Sequence, residues 1–286
     1  MANTIEIKRR IGSVKNTKQI TKAMELVSAS KMRRAQELAK RSREYRDVAY
    51  DLLSRLSQNQ EAASHPLFQK RKVKSRLYIM ITSNGVLAGA YNHNVIKMFI
   101  NAVTTDQANG IKCRVITIGN QGTNFVRRIK DLDLIAAYSA FGDEPSTADI
   151  LPILNTAITK YRNTEIDNVC LIYTLFKTNL LQEVQNTSLL PTDLDNKSEK
   201  PVFTNFEPSV ETVLDSVTTR LLEAQIWQAL LESMASEHSM RMLAMKSATD
   251  NASEIIDDLT LEFNTARQTN ITQELAEISG GVEALK

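Results

Sequence analysis

The feature that most constrains this chain is a stretch of about 70 residues, 209–279, that contains neither glycine nor proline. Pro208 precedes the stretch and Gly280-Gly281 follows it, and residues of these types commonly flank a helix. As one helix it would span roughly 105 Å. No globular domain of ordinary size needs such a helix, so we expect a second element to cover it.

Apolar side chains repeat along this stretch in alternating steps of four and three residues. The steps start at Val210 and continue for about seven heptads, and only Gln228, His238 and Thr249 interrupt them. A sustained repeat of about 3.5 residues is typical of a left-handed coiled coil. The residues that we assign to its seam include Leu214, Leu221, Leu231, Met242, Met245, Ile256 and Leu259.

The amino-terminal segment is the expected partner of this helix. Residues 13–65 also lack glycine and proline, and Pro66 ends them. Because both helices attach to the same middle segment, one entering it and one leaving it, they must run antiparallel. Apolar residues recur in the first helix with helical spacing, at Ile7, Ile11, Val14, Ile20, Met24, Val27, Leu38, Tyr45, Leu52 and Leu56.

The distribution of charge supports this pairing. Residues 1–76 contain 19 Lys and Arg against 7 Asp and Glu, whereas residues 207–286 contain 5 against 14. Opposite balances favour contact, although an exposed ion pair contributes only about 0.2–1 kcal/mol. The second helix is longer than the first, and beyond Ala266 its seam turns polar at Asn270 and Gln273. We therefore expect its tip to project without a coiled-coil partner.

The middle of the chain has the pattern of an α/β domain. Its apolar runs predict strands at 76–82, 113–119, 132–139 and 167–176, separated by helix-like stretches near 93–108, 120–130 and 147–163. This alternation favours a mostly parallel sheet covered by helices. Residues 181–191 alternate in polarity and predict an edge strand.

The expected fold class is α/β plus a long antiparallel α-helical coiled coil. A Rossmann-like α/β domain is inserted between the amino- and carboxy-terminal helices. The domains are placed at 1–65, 66–207 and 208–286.

A catalytic site is not indicated by any motif. The turns at 82–92 and 118–122 lie where phosphate loops occur, but they match no glycine-rich nucleotide fingerprint. The histidines are scattered and lack the spacing of metal ligands. Although Ser236 and His238 are close in the chain, neighbouring helical residues point in different directions and cannot form a triad with Glu237. We expect no cofactor and no metal.

The cysteines and the amino terminus bear on the cellular compartment. Cys113 and Cys170 both lie within apolar runs, which predicts buried, reduced thiols. The start of the chain lacks the apolar region of a secretory signal. No stretch approaches the roughly 20 apolar residues that a membrane span requires. These features predict an intracellular protein or one peripheral to a membrane.

Two long stretches resemble the signatures of a known family. Residues 7–36, IKRRIGSVKNTKQITKAMELVSASKMRRAQ, are similar to the amino-terminal signature of gamma subunits of F-type ATP synthases, and residues 235–281 resemble the carboxy-terminal one. The length and the order of helix, α/β domain and helix also match. One run departs: where the family usually has Ser-Asp-Arg-Gly-Leu-Cys-Gly-Gly, residues 83–90 are SNGVLAGA.

The resemblance implies a rotary central-stalk subunit with no catalytic site of its own. Its coiled coil would stand inside three alpha and three beta subunits, and its α/β domain would rest, with the epsilon subunit, on the membrane ring of c subunits. Proton-driven rotation of the c-ring would then drive ATP synthesis on beta, and the subunit would also regulate ATPase activity. The implied location is peripheral, on the cytoplasmic face of the bacterial inner (plasma) membrane, with membrane contact only through the c-ring and no nucleic acid.

Contact roles are implied where residues match the family. Met24 would face the acidic lever loop of beta, and Glu207 would belong to the foot near the c-ring and epsilon. Further positions implied to couple to that loop or to contact alpha and beta are Arg241, Arg267, Gln268, Thr272 and Glu274.

Two other classes of function stay open on the residues alone. A Rossmann-like enzyme would require a nucleotide fingerprint. A static coiled-coil tether or nucleic-acid-binding scaffold would leave its basic segment free instead of matched by an acidic helix.

Overall fold

The structure is a computed structural model and describes residues 2–56, 66–139, 141–142, 145–192 and 210–283. Its helices are α1 (Ala2–Leu56), α2 (Tyr91–Ala108), α3 (Asn120–Val126), α4 (Thr147–Arg162) and α5 (Val210–Glu283). Its strands are β1 (Ser75–Ile81), β2 (Lys112–Ile118), β3 (Asp133–Tyr138), β4 (Asn168–Phe176) and β5 (Gln182–Leu190). A long helix therefore stands at each end of an α/β segment, and the predicted fold class is confirmed.

The described chain divides into two compact units. The smaller unit is Met1–Ser28 with Arg241–Lys286, and the larger unit is Ala29–Met240. Each unit thus contains part of α1 and part of α5.

The larger unit is built on a five-stranded sheet in the order β3-β2-β1-β4-β5. The first four strands are parallel to their neighbours, and β5 runs antiparallel to β4 at the edge. Parallel strands need crossover connections, which the intervening helices supply. The mostly parallel sheet and the edge strand are as predicted.

Helices cover both faces of this sheet. On one face Leu77, Ile79 and Ile116 pack in a cluster with residues of α4 and α5, such as Ile153 and Ile226. On the other face, residues of alternate register, including Tyr78 and Met80, pack with Val95 and Phe99 of α2. Because successive side chains of a strand point to opposite faces, one continuous apolar run supplies both cores.

A close approach at the carboxyl ends of β1 and β2 requires a glycine. Gly119 adopts φ 97°, and a Cβ there would lie 2.1 Å from the main-chain oxygen of Thr82. No residue with a side chain fits without moving the backbone. The turn that results delivers the chain from β2 directly into α3.

In the larger unit α5 is buried on more than one side. Leu222, Ile226 and Leu230 face the sheet cluster. Leu214 and Leu221 pack in a separate cluster with α1 residues that include Tyr50. A helix placed between two partners needs apolar residues around most of its circumference. The narrow seam predicted from the 3.5-residue repeat therefore describes one of two buried faces here.

The smaller unit is an antiparallel pair of helix segments. The hydroxyls of Thr21 and Thr249 are 2.8 Å apart and buried, so the two segments touch at this level. Near the amino terminus, Ile5 lies beside Ile271. Lower residue numbers of α1 thus meet higher numbers of α5, as an antiparallel pair requires.

Two local predictions are wrong. The carboxy-terminal helix does not stop at Gly280 but continues to Glu283. Glycine costs a helix only about 1 kcal/mol per residue relative to alanine, which is tolerable at an exposed end. In α1, Ile20 and Val27 do not belong to the buried face: they are 60% and 53% exposed.

Two further observations bear on the environment of the chain. No described helix combines the length and the apolar character needed to cross a bilayer. The thiols Cys113 and Cys170 are both free and buried, which confirms that prediction.

Candidate functional site

The outer surface of the smaller unit is the candidate functional site, because it gathers six of the residues that the family resemblance singles out. Met24 lies on α1 and the other five lie on α5. Met24 and Arg241 are half-buried, whereas the remaining four are exposed: Arg267, Gln268, Thr272 and Glu274.

Two of these residues line a groove near the start of α1. Arg267 and Glu274 border a space of about 310 Å³, together with Lys8 of the facing helix. The other residues of the groove are Thr4, Ile5, Phe263, Asn270 and Ile271. The groove thus has an apolar floor with charged residues of both signs around it. Such a surface suits a protein partner better than a small polar substrate.

The tip of α5 is exposed throughout. Every residue from Ile271 to Gly280 is exposed. The expectation that the helix lacks a partner beyond Ala266 is wrong for its first turns, because Ile5 and Lys8 of α1 border the same groove as Ile271 and Glu274. Yet the tip is less polar than the sequence pattern suggested. Ile271, Leu275 and Ile278 are 48%, 60% and 64% exposed and recur at the i, i+4, i+7 spacing of one helical face. An uncovered apolar stripe of this kind marks an interaction surface.

A second apolar stripe lies around Met24. Ile20 and Val27 are separated by two turns and share a face with Met24, so the residues removed from the predicted buried face form an outward stripe. The antiparallel register that pairs Thr21 with Thr249 puts Arg241 near the level of Ser28, about one turn from Met24. The sequence pattern contained this stripe but could not say which face looked outward.

The seven residues assigned to the coiled-coil seam are distributed over both units. Leu214, Leu221, Leu231, Met245 and Leu259 are buried, each with at most 7% of its surface exposed. Met242 and Ile256 are half-buried. Among the interruptions, Gln228 and Thr249 are also buried, at 2% and 7%.

Polar bonds explain how these interruptions are tolerated. Thr249 Oγ1 lies 2.8 Å from Thr21 Oγ1. Gln228 Nε2 donates to Glu232 Oε1 at 2.6 Å, and Arg43 Nη2 donates to the same carboxylate at 3.0 Å. Buried polar groups that are bonded in this way cost little, whereas unbonded ones are expensive. The Gln228 side chain is satisfied only in part, because its Oε1 is buried and accepts no hydrogen bond from the described residues.

A cleft in the larger unit lies beside this network. It measures about 340 Å³ and is bordered by Arg46 and Tyr50 of α1, Tyr173 of β4 and Gln225 and Gln228 of α5. The Glu232 carboxylate next to it is already bonded to Arg43 and Gln228. A group committed in this way is poorly placed to act as a general base.

The turn at 118–122, one of the two that lie where phosphate loops occur, has its N–H groups occupied. At the start of α3, Asn120 N–H donates to Asn84 Oδ1, Gln121 N–H to Ser83 O and Gly122 N–H to Thr82 Oγ1. A phosphate site requires such groups to be directed at the ligand. The turn therefore serves the fold.

The cysteines offer no reactive thiol. Burial raises the pKa of both Cys113 and Cys170 to about 11. At neutral pH they are protonated, and it is the thiolate that reacts. No cluster of three His, Cys, Asp or Glu side chains able to hold a metal occurs among the described residues. Glu207 lies outside the described residues.

Comparisons with known proteins show the family of the chain. A family model described as ATP synthase matches residues 3–285. The ATP synthase gamma chain of Herpetosiphon aurantiacus is 42% identical over 100% of this chain and 99% of its own length. That of Glaesserella parasuis is 38% identical over all of both chains.

Solved structures share the fold. A chain of the Euglena gracilis mitochondrial ATP synthase, in an OSCP/F1/c-ring structure, has a TM-score of 0.70 at 16% identity and covers 99% of this chain and 95% of its own. A chain of the Tetrahymena thermophila mitochondrial ATP synthase central stalk and c-ring structure has a TM-score of 0.62 at 24% identity. It covers 80% of this chain and 99% of its own.

Proposed function

Since this chain belongs to the family of ATP synthase gamma chains, we propose that it is the rotary central-stalk subunit of a proton-translocating ATP synthase. The observation that carries the proposal is the 42% identity to a gamma chain over 100% of this chain and 99% of the relative. A match of that extent includes both long helices and the α/β domain. The similarity therefore covers the whole subunit and is not limited to one shared domain.

In this role the two parts of the molecule have different partners. The smaller unit turns inside a ring of three alpha and three beta subunits, and the α/β domain stands on the c-ring beside epsilon. Met24, Arg241, Arg267, Gln268, Thr272 and Glu274 contact alpha and beta, and Glu207 belongs to the foot. Exposed apolar stripes on both helices of the smaller unit support such contacts, because large uncovered apolar patches are rare on proteins that act alone.

The chain acts by presenting a different surface to each partner subunit as it rotates. Proton flow turns the c-ring and the shaft, and the shaft presents a different side to each beta subunit in turn. The stripe at Ile20 and Val27 is apolar while the flanking Lys22 is charged, so the surface differs around the circumference. ATP forms on beta, and this chain supplies no catalytic residue and binds no cofactor.

The location follows from the partners. The c-ring lies in the membrane, so the chain is peripheral, on the cytoplasmic face of the bacterial inner membrane, and touches the membrane only through the ring. One contact counts against a nucleic-acid scaffold: Arg43 of the basic segment is paired with the buried Glu232 of the acidic helix.

Reconstitution tests the proposal. Alpha, beta and epsilon subunits from the same organism are assembled with and without this chain, and ATP hydrolysis and proton pumping are measured after addition of the membrane sector. We expect a stable complex that contains this chain and pumps protons only when it is present. Pumping of equal rate in its absence would contradict the proposal, as would failure of the chain to enter the complex.

A further inference from the structure

Strand β4 extends past its neighbour in the larger unit. Its register with β1 ends at the pair Met80 and Ile172, but β4 continues to Phe176. Thr174 comes two residues after Ile172, so its main-chain N–H and C=O face the edge from which β1 is missing. Buried main-chain groups at such an edge need other partners.

Serine hydroxyls of α5 provide those partners. The N–H of Thr174 donates to Ser233 Oγ at 3.1 Å, and Ser236 Oγ donates to the carbonyl oxygen of Thr174 at 3.3 Å. A hydroxyl both donates and accepts, which suits serine to either group of a strand edge. The helix thus takes the place of the missing strand at this residue.

A third serine extends the contact to the hairpin between β4 and β5. Ser239 Oγ donates to the carbonyl oxygen of Asn179 at 2.9 Å and accepts from Gln182 Nε2 at 3.3 Å. The three serines follow one another at three-residue steps on α5. Each has at most 1% of its surface exposed.

These bonds differ in kind from the apolar contacts around them. Ile226 and Leu230 also hold α5 against the sheet, but apolar attraction has no direction and allows small sliding or turning. Hydrogen bonds weaken steeply when distance or angle changes. In a dry environment they are also stronger than in water. The serines therefore fix the position of α5 along and around its own axis relative to β4.

We propose that Ser233, Ser236 and Ser239 are positioning residues that transmit torque between the α/β domain and α5. The proposal rests on the proposed rotary function. When the domain turns, load on this joint acts sideways on α5, which is the direction that apolar packing resists least. Without the three hydroxyls the helix stays docked, but the joint twists more easily.

A single-molecule measurement tests the torsional stiffness of the joint. The assembled complex is fixed through beta, and a bead is attached to the exposed position Lys97→Cys on α2. The buried Cys113 and Cys170 do not compete for the label. While rotation is paused, the width of the angular fluctuation of the bead reports the stiffness. We expect the Ser233→Ala/Ser236→Ala variant to show a wider distribution than the unmodified chain.

Two matched variants separate a mechanical role from simple stability. Ile226→Val removes a buried methylene from the same helix and touches no hydrogen bond. Ser253→Ala removes a hydroxyl that bonds only to its own helix, at Thr249 O. Both are expected to keep the unmodified width. Equal broadening by Ile226→Val would mean that loosened packing suffices, and it would overturn the proposal.

The remaining outcomes are also decisive. An unchanged width of the angular fluctuation in the double serine variant would overturn this proposal but would not contradict the proposed rotary function. A complex of the unmodified chain that does not rotate with ATP would overturn both this proposal and the proposed function. If the double variant does not assemble, Ser239→Ala is measured in the same way, and an unchanged width there counts against the proposal.

Discussion

The buried carboxylate of Asp106 shows how single residues of the α/β domain serve structure. Asp106 is 3% exposed, and its oxygens accept from Tyr78 OH and from Arg76 Nη1, both at 2.6 Å. Burial, together with this carboxylate, holds the pKa of Tyr78 well above its ordinary range. All three side chains are committed to one another, so the cluster stabilises the end of α2 against β1.

Replacing this carboxylate should cost substantial stability. In Asp106→Asn the charge is lost while Arg76 remains three-quarters buried, and we expect the free energy of unfolding to fall by about 2–3 kcal/mol. Urea unfolding measures the change. Asp47→Asn is the matched control, because the Arg46–Asp47 pair is exposed. Its loss should stay within about 1 kcal/mol, and equal effects of the two substitutions would contradict this role for Asp106.

The buried thiols predict both slow chemistry and a dependence on pH. With a pKa of about 11, Cys113 and Cys170 should react with maleimide at pH 8 much more slowly in the native protein than in urea. In the unfolded chain thiols ionise near pH 8.5. Between about pH 8.5 and 11 the folded state therefore holds more protons, and stability should fall as pH rises.

Urea midpoints at pH 8 and pH 10 check this sign. Cys113→Ala/Cys170→Ala should show a weaker decline over the same range. Rapid labelling of the native protein at pH 8 would mean that the thiols are accessible.

At the scale of elements, α5 provides a direct test of which face is covered. Leu259 is 7% exposed, whereas Leu261, two residues later on the same helix, is 70% exposed. Residues two apart on a helix point in different directions, so the two leucines differ in environment but not in type. Their contrast isolates burial from helix propensity.

Aspartate at these positions should have very different effects. Leu259→Asp puts an unpaired charge in a buried interface and should destabilise the smaller unit by about 3 kcal/mol or more. Leu231→Asp, at a residue that is fully buried, should do the same in the larger unit. Leu261→Asp should change stability by only about 0.5 kcal/mol. Thermal unfolding followed by circular dichroism would refute the assignment if Leu259→Asp and Leu261→Asp melted together.

Most elements of the fold could be predicted from the sequence, because each has a strong apolar period. The predicted strand at 76–82 is β1 at Ser75–Ile81, and the predicted helix at 147–163 is α4 at Thr147–Arg162. The prediction of which α1 residues are buried was wrong in part, because burial depends on how α1 pairs with α5. The buried Thr21 and Ser28 of α1 are polar, so a pattern of apolar residues favoured Ile20 and Val27.

The serines of α5 were missed for a related reason. Ser236 stood out in the sequence only as a neighbour of His238, and its role depends on where β1 ends beside β4. The family assignment is confirmed. The contact roles of residues such as Met24 and Arg267 stay predictions, because a contact is a property of two chains and one sequence carries half of it.

For the whole molecule, the exposed tip of α5 separates folding from assembly. Residues 271–280 are exposed, so they contribute little to the stability of this chain by itself. Truncation before Thr269 should leave the helix content of the isolated chain lower only by the residues removed. It should weaken assembly or slow ATP turnover, because Thr272, Glu274 and the apolar stripe at Leu275 are lost.

Circular dichroism and the ATPase activity of the assembled soluble complex separate these outcomes. Loss of helix far beyond the deleted residues would show that the tip belongs to the core of the smaller unit. Full activity with full coupling would show that the tip makes no contact that matters.

Rotation of the whole molecule tests the central claim most directly. A complex of alpha and beta subunits is fixed to a surface, with this chain bearing a bead at Lys97→Cys, and ATP is added. We expect the bead to turn continuously in one direction, in steps whose rate rises with ATP concentration, and to stop when ATP is removed. A bead that stays still while the same complexes hydrolyse ATP at full rate would contradict the account, because the chain would then be a static tether.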